Sequence, residues 1–339
     1  MAQVAVPPVA DPVGDASPTP APPRSRLALP AAFSQWALLG ALLVTIAIFG
    51  ALRPDSFLTL ENLKSTLNTA APLLVVALGL TVVLVMQDFD LSVAGMMGLG
   101  GAVAVVLMSQ HGVPWQLAIL LALGVGVLGG LLNAFLIAYL GGSAFIITLA
   151  MSTVFVGLEF AVTGQKTIFD GIPDGFANFA QSRWVLDLPA QVFIAAGLAV
   201  VVWALLSQTE IGRYMHAIGS GPEAARLSGV RTREIRALGF VIAAVLAVAA
   251  GVLIDSSAAA SSPQIGTPYL LPAFAAVFLG SAAFKVGQFN APGTVVGVLF
   301  LGVIQNGLTM LSLSTAVINI VQGVILATAI LVSRIGVRA

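Results

Sequence analysis

The sequence predicts an all-α membrane protein of about ten transmembrane helices, and three observations carry that expectation. Hydrophobic residues make up 58% of the 339-residue chain and charged residues only 8%, against about a quarter in soluble domains. Mean hydropathy is +1.03, more apolar character than a soluble fold of this length hides. Ten stretches qualify or nearly qualify as spans of about 20 apolar residues. The 35 glycines suit helices that pack closely in lipid. A formal net charge of zero argues against nucleic acid as a partner. The lack of cysteine removes disulfides and thiolate metal sites.

Taken in order, residues 1–30 hold eight of the 18 prolines and too little apolar surface to fold. They read as a disordered tail, without the basic start and apolar core of a signal peptide. The expected spans follow at 33–52, 71–87, 92–110, 115–140, 142–163, 190–208, 237–257, 269–284, 293–311 and 315–333. The second and eighth are short, as broken or re-entrant helices would be. Phe57, Leu60, Leu63 and Leu67 have helical spacing, so 54–70 is expected to be a separate amphipathic helix on the outer surface. Residues 164–189 form the longest external loop, rich in turn formers and free to meet an external partner. With the N-terminus in the cytoplasm, ten of the 14 basic residues fall on the inner side, as the positive-inside rule requires. The connection at about 209–236 dominates that asymmetry. An odd number of spans would put the last arginines on the wrong side.

A faint repeat links Leu128-Gly129-Gly130-Leu131-Leu132-Asn133 in the fourth span to Leu301-Gly302-Val303-Ile304-Gln305-Asn306 in the ninth. Five spans apart, the copies run in opposite directions. This predicts an inverted repeat of spans 2–5 and 7–10.

The most informative stretch lies within the 209–236 connection, at Ser220-Gly221-Pro222-Glu223-Ala224-Ala225-Arg226-Leu227-Ser228-Gly229-Val230. Pro222 suits a first helical turn, Ser220 with Glu223 has capping-box spacing, and Gly229 suits a left-handed helix end. Ala224 and Ala225 leave room for a close partner. On physical grounds the stretch is either a lever for a cytoplasmic protein or an ordinary basic loop.

Glu223-Ala224-Ala225 followed by Gly229 resembles the coupling loop of permease subunits in ABC importers. With Ile211-Gly212-Arg213 and Ala217-Ile218-Gly219 it is similar to the ribose-type carbohydrate permease family. Phe57 to Leu63, Asp90-Leu91-Ser92-Val93, Phe145-Ile146-Ile147-Thr148-Leu149 and Asn306-Gly307-Leu308 resemble further motifs of that family, in order, over about residues 55–333. Two stretches depart from it. The family usually has Gly-Gly where this chain has Gln87-Asp88. It usually has a Gly-rich run at Leu279-Gly280-Ser281-Ala282-Ala283-Phe284-Lys285.

The resemblance implies a type II ABC importer-like fold. Residues 31–339 would form the permease domain, in a bacterial inner membrane, with both termini cytoplasmic. It implies a homodimer or a similar second permease, a separate ABC ATPase subunit docked under the coupling loop, and a periplasmic solute-binding protein. The solute would be a monosaccharide or related small polar molecule. No Walker motif occurs in the chain, so ATP and Mg2+ are expected on the partner, with no cofactor on this chain. The expected coupling residues are Ser220, Pro222, Glu223, Ala224, Ala225, Arg226 and Gly229.

Polar residues at membrane depth are functional candidates. Asp88, Asp90, Ser92, Asn133 and Asn306 are candidates to line a path. The plainer readings are interfacial charge for Asp88, a cap on the third span for Asp90, and bonds between helices for the asparagines. Glu159 and Asp255, near the outer ends of their spans, are expected to be solvated or salt-bridged to external partners. Gly126-xxx-Gly130 and Gly293-xxx-Gly297 fit close helix packing. His111 and His216 fall on opposite sides, so no shared metal or relay is expected. Alternatives are a branched-chain amino-acid permease, an ion-coupled transporter and, least supported, an intramembrane enzyme.

Overall fold

The computed structural model describes residues 36–285 and 287–337. The expected tail at 1–30 lies outside them. The regular elements among the described residues are helices, beside two isolated antiparallel bridges. The main helices are α1 Ala37–Leu52, α2 Leu60–Val85, α3 Val93–Ser109, α4 Trp115–Ala134, α5 Ala144–Thr163, α6 Ala190–Gln208, α7 Glu210–Ser220, α8 Pro222–Leu227, α9 Thr232–Ala258, α10 Leu270–Gly280, α11 Ala291–Met310 and α12 Thr315–Val337. Helix α4 continues as a π-helical turn, Phe135–Tyr139.

Six of these are long and apolar enough to cross a membrane: α2, α4 with its π turn, α5, α6, α9 and α11. Helices α1, α3 and α10 are apolar but shorter, as is α12 over Thr315–Ile325. Helix α10, the eighth expected span, has 11 residues.

The expected surface helix at 54–70 does not exist as a separate element. A single turn, Pro54–Phe57, precedes α2, which starts at Leu60 and runs unbroken through Pro72. Thr59 Oγ1 caps it by accepting the Asn62 N–H at 3.2 Å. Pro72 has no N–H to give the Asn68 carbonyl four residues earlier. Gln191 Nε2 supplies that bond instead, at 3.0 Å, so the helix continues. The periodicity was real, but the first turns of α2 bury Asn62 and Thr66 and leave Leu60 and Leu63 exposed. An apolar exterior over a polar interior is the pattern for lipid, not water.

Helices α2, α3 and α9 form the centre. Helix α9 packs on α3 and α4, while α2 packs on α10 and α11. Helix α3 lies on α5 as α10 lies on α12, and α2 meets α9. Small residues set these distances. A Cβ on Gly130 would come within 2.6 Å of Val241 Cα in α9. One on Gly293 or Gly297 would overlap a carbonyl of α10. Both Gly-xxx-Gly pairs are therefore packing sites.

One end of the bundle carries the α6–α9 connection; the opposite end carries residues 164–189. That long loop folds back on the body. Phe176 and Ala180 are fully buried, and Ser256 Oγ donates to the Phe176 carbonyl at 2.5 Å and accepts the Ala180 N–H at 3.0 Å. Its tip leaves Trp184, Val185 and Leu186 exposed.

Candidate functional site

The connection between α6 and α9 is two short helices set at sharp corners. Thr209 makes the first corner: its Oγ1 donates to the Leu205 carbonyl at 2.6 Å and accepts the Gly212 N–H at 3.1 Å. Glycine is required at 212 because a Cβ would overlap the end of α6, within 2.5 Å of the Leu206 carbonyl oxygen. Gly219, near the end of α7, sits directly on the Val85 carbonyl that ends α2, where no Cβ would fit. Helix α7 is thus held flat against a central helix of the bundle.

Helix α8 starts as expected, with Pro222 in its first turn. The capping box is not formed. Gly221, in extended backbone, takes the cap position, and Ser220 is the last residue of α7, its Oγ donating to the His216 carbonyl at 3.0 Å. At the other end Gly229 has φ +88°. Its N–H bonds the Arg226 carbonyl at 3.0 Å, and the Val230 N–H bonds the Ala225 carbonyl at 3.1 Å, completing a Schellman stop.

Between these ends Ala225 is buried, Ala224 faces outward, and Leu227 is 74% exposed. Arg226 holds Glu223 with two bonds, Nη2 to Oε1 at 2.6 Å and Nε to Oε2 at 3.0 Å. That guanidinium holds the Glu223 carboxyl below its ordinary pKa. The product is a rigid six-residue helix presenting Ala224, Leu227 and a fixed ion pair.

The α2–α3 turn follows the end of α2 on which Gly219 of α7 rests. Asp88 is nearly buried, and both its oxygens accept from Arg236 at the start of α9, at 2.7 Å each. Asp90 is fully buried; its Oδ1 accepts the Ser92 N–H at 2.9 Å and the Ser92 hydroxyl at 2.6 Å. Burial pushes its carboxyl up to about 6, against the opposing pull of those bonds. Asn133 on α4 donates to Ser92 Oγ at 2.7 Å. Thr148 on α5 accepts the Leu91 N–H at 3.0 Å and donates to the Phe89 carbonyl at 3.3 Å. One polar chain therefore ties Asp90 and Ser92 of the α2–α3 turn to Asn133 of α4.

Asn306 is elsewhere. It donates to Asn62 Oδ1 at 2.7 Å and contacts Thr66 Oγ1, joining α11 to α2. Asn62 and Thr66 also line a cavity of about 390 Å³ with Ile46, Phe57 and Val303. Asp88 stands apart from both groups. Glu159 and Asp255 contradict their expectation: both are fully buried, and no ion pair among the described residues includes them.

Sequence reasoning missed three features. The first is Arg236, one of the basic residues of the inner connection, which reaches back from the start of α9 to the α2–α3 turn. The second is an aromatic group around half-exposed Phe89: ring centroids lie 6.2 Å from Phe274 and 6.5 Å from Phe145 and Phe278. The third concerns the two departures. Gln87 and Phe284 both have φ of +61°, the region that favours glycine. Each departure places a non-glycine where glycine would rest without strain.

A family model described as "Branched-chain amino acid transport system / permease component" matches residues 62–330. Among curated proteins, the ribose import permease protein RbsC of Haemophilus influenzae is 31% identical over 293 residues, 86% of this chain and 90% of that one. The ribose import permease protein RbsC of Escherichia coli K12 is 33% identical over 297 residues, 87% of this chain and 92% of that one. The D-allose transport system permease protein AlsC of Escherichia coli K12 is 28% identical over 294 residues, 87% of this chain and 90% of that one.

Proposed function

The chain belongs to the branched-chain amino acid transport system / permease component family, and on that premise we propose that it is the membrane-spanning permease of an ATP-driven ABC importer for a monosaccharide. It is a multi-pass membrane protein. Relatives named for ribose and allose cover most of the chain, and the Asp90-Leu91-Ser92-Val93 run supports the sugar branch over branched-chain amino acids.

The observation that carries the mechanism is the α7–α8 unit. A helix of six residues has little stability of its own. This one is fixed at both ends, backed by Gly219 on α2, and exposes Ala224 and Leu227. Those are the properties of a lever: a partner's motion passes to α2 and α9 without being absorbed locally. The partner is a separate ABC ATPase that carries ATP and Mg2+. Differential binding of the partners to two access states drives the shift. Asp88–Arg236, immediately behind, ties the α2–α3 turn to the start of α9, so both move with the lever.

The remaining parts follow. A periplasmic solute-binding protein docks at the opposite end, where Trp184, Val185 and Leu186 are exposed. A second copy of the chain completes the pathway as a homodimer in the inner membrane, with lipid around the rest and both termini cytoplasmic. All ten apolar helices span, and the matched packing of α2 with α10 and α11 and of α9 with α3 and α4 supports an inverted repeat. Asp90, Ser92, Asn133 and Asn306 are the pathway candidates; Asp88 serves the lever.

The test is uptake into inside-out-excluded vesicles containing the chain with its ATPase and binding protein, using labelled ribose, allose and leucine. ATP-dependent sugar uptake is expected. Leucine uptake alone would move the chain to the amino-acid branch, and uptake driven by an ion gradient without ATP would make it a secondary transporter.

A further inference from the structure

The end of the bundle away from the lever holds buried polar atoms that the importer reading does not use. Glu159 on α5 is 1% exposed; Asp255 on α9 and Ser261 just beyond it are 0% exposed. Glu159 Oε2, both Asp255 oxygens and Ser261 Oγ have no hydrogen-bond partner among the described residues. Only Glu159 Oε1 is engaged, accepting the Gln264 N–H at 2.7 Å.

These atoms converge. Helix α3 makes room for both carboxylates with two glycines. A Cβ on Gly98 would lie 2.6 Å from Glu159 Oε2, and one on Gly101 would overlap Asp255 Oδ2. The glycines are one turn apart, so the carboxylates reach points about 5–6 Å apart on one helix face. Ser261 is pinned from the loop side by paired main-chain bonds with Ile168, 2.8 and 2.9 Å. Its hydroxyl faces the Asp255 carboxylate without a well-formed bond to it.

An unpaired buried carboxylate costs several kcal/mol, and two side by side cost more. The free donors are all oxygen, which selects a hard cation over a soft one. Two acidic groups that form no ion pair among the described residues match a divalent ion. Four free side-chain oxygens in an irregular array suit Ca2+, which completes six to eight ligands flexibly with carbonyls and water; Mg2+ demands a near-ideal octahedron. Three side chains from α5, α9 and the loop after α9 would meet on one ion.

We propose that Glu159, Asp255 and Ser261 form a Ca2+ site that joins α5 to α9 across α3 and anchors the 164–189 loop through the Ile168–Ser261 pairing. The experiment uses the full chain purified in detergent and stripped with chelator. Equilibrium dialysis with radioactive Ca2+ is expected to give one ion per chain. The unfolding midpoint should rise with Ca2+ and much less with Mg2+. Asp255→Asn and Glu159→Gln should each weaken binding at least tenfold, and Ser261→Ala, a gentler change, several-fold. A wild-type chain that retains no Ca2+ at millimolar concentration, and gains stability only as pH falls, would show shared protons in its place and overturn the proposal. Undiminished binding in all three variants would place the ion elsewhere and overturn it equally.

Discussion

Two pairs of buried acids sit at opposite ends of the bundle, and they are handled differently. Behind the lever, Asp88 is neutralised by both arms of the Arg236 guanidinium, and Asp90 is held by Ser92. At the other end, Glu159 and Asp255 share a space carved by two glycines and have no counter-charge among the described residues. In sequence all four look alike, as acids near the ends of apolar segments. In three dimensions the first pair fixes the backbone of the α2–α3 turn and ties it to the start of α9. The second pair is open to a ligand. The difference teaches that an acid's role in such a chain is set by what the neighbouring helix brings: an arginine in one case, a glycine in the other.

The sharpest way to break the comparison is to remove the counter-charge. Arg236→Ala leaves Asp88 nearly buried and unpaired. A fully buried broken pair costs about 3–5 kcal/mol; with the Arg236 side chain 27% exposed, a loss of about 2–3 kcal/mol is expected after discounting for screening. Adding Asp88→Asn should restore most of it, and thermal unfolding of the two variants measures both. If Arg236→Ala is harmless, the first pair is no different from the second.

Asp90 offers a pH test at the same end. Its folded carboxyl lies at about 6 against an ordinary 3.8, so the folded state prefers the protonated form. The associated stability is fully present below about pH 4 and lost as pH rises through about 6. Asp90→Asn should abolish that dependence. On the order of 3 kcal/mol should separate the two proteins at neutral pH, with convergence in acid. Parallel pH profiles would show that Asp90 does not titrate in this window.

Gly229→Val separates lever from scaffold. Forcing a β-branched residue into φ +88° strains the stop by about 1–2 kcal/mol. A Cβ there meets no neighbour within 4 Å, so the bundle should still assemble. ATP-driven uptake should fall sharply while the amount of inserted protein is unchanged. Normal uptake would remove the coupling role from α8. The smallest effect is expected at Gln87→Gly. Relief of about 1 kcal/mol of left-handed strain is partly offset by about 0.5 kcal/mol of added backbone freedom. A midpoint raised by a degree or two is expected, and a lowered one would mean that the Gln87 side chain itself stabilises the turn.

The helical fold was legible because bilayer thickness imposes length and hydropathy on each segment. Every apolar stretch expected to span has a helix at its place. The start of α2 was not legible, since the Asn68 carbonyl left free by Pro72 is rescued by Gln191, 123 positions away in the chain. In the connection, Pro222 and Gly229 were readable because their roles are local backbone geometry. Ser220 was misassigned because Gly221 beside it competes for the cap, a choice made by the corner and not by the motif. Asp90 was expected to cap the third span, but Ser92 takes the cap position and Asp90 Oδ1 accepts the Ser92 N–H and hydroxyl instead. The Asn133, Arg236 and Asn62 contacts depend on which helices become neighbours. The fate of Glu159 and Asp255 was hidden for the same reason: the glycines that receive them are on α3.

The most direct test of the central claim is recovery of this chain, tagged at its C-terminus, from its host in gentle detergent at normal expression. An ATP-binding subunit recovered in near-equal amount, and lost when residues 220–230 are deleted, is the predicted result. Recovery of the chain alone, with solute transport persisting in ATP-free vesicles, would contradict the assignment of the α7–α8 unit as an ATPase-coupled lever.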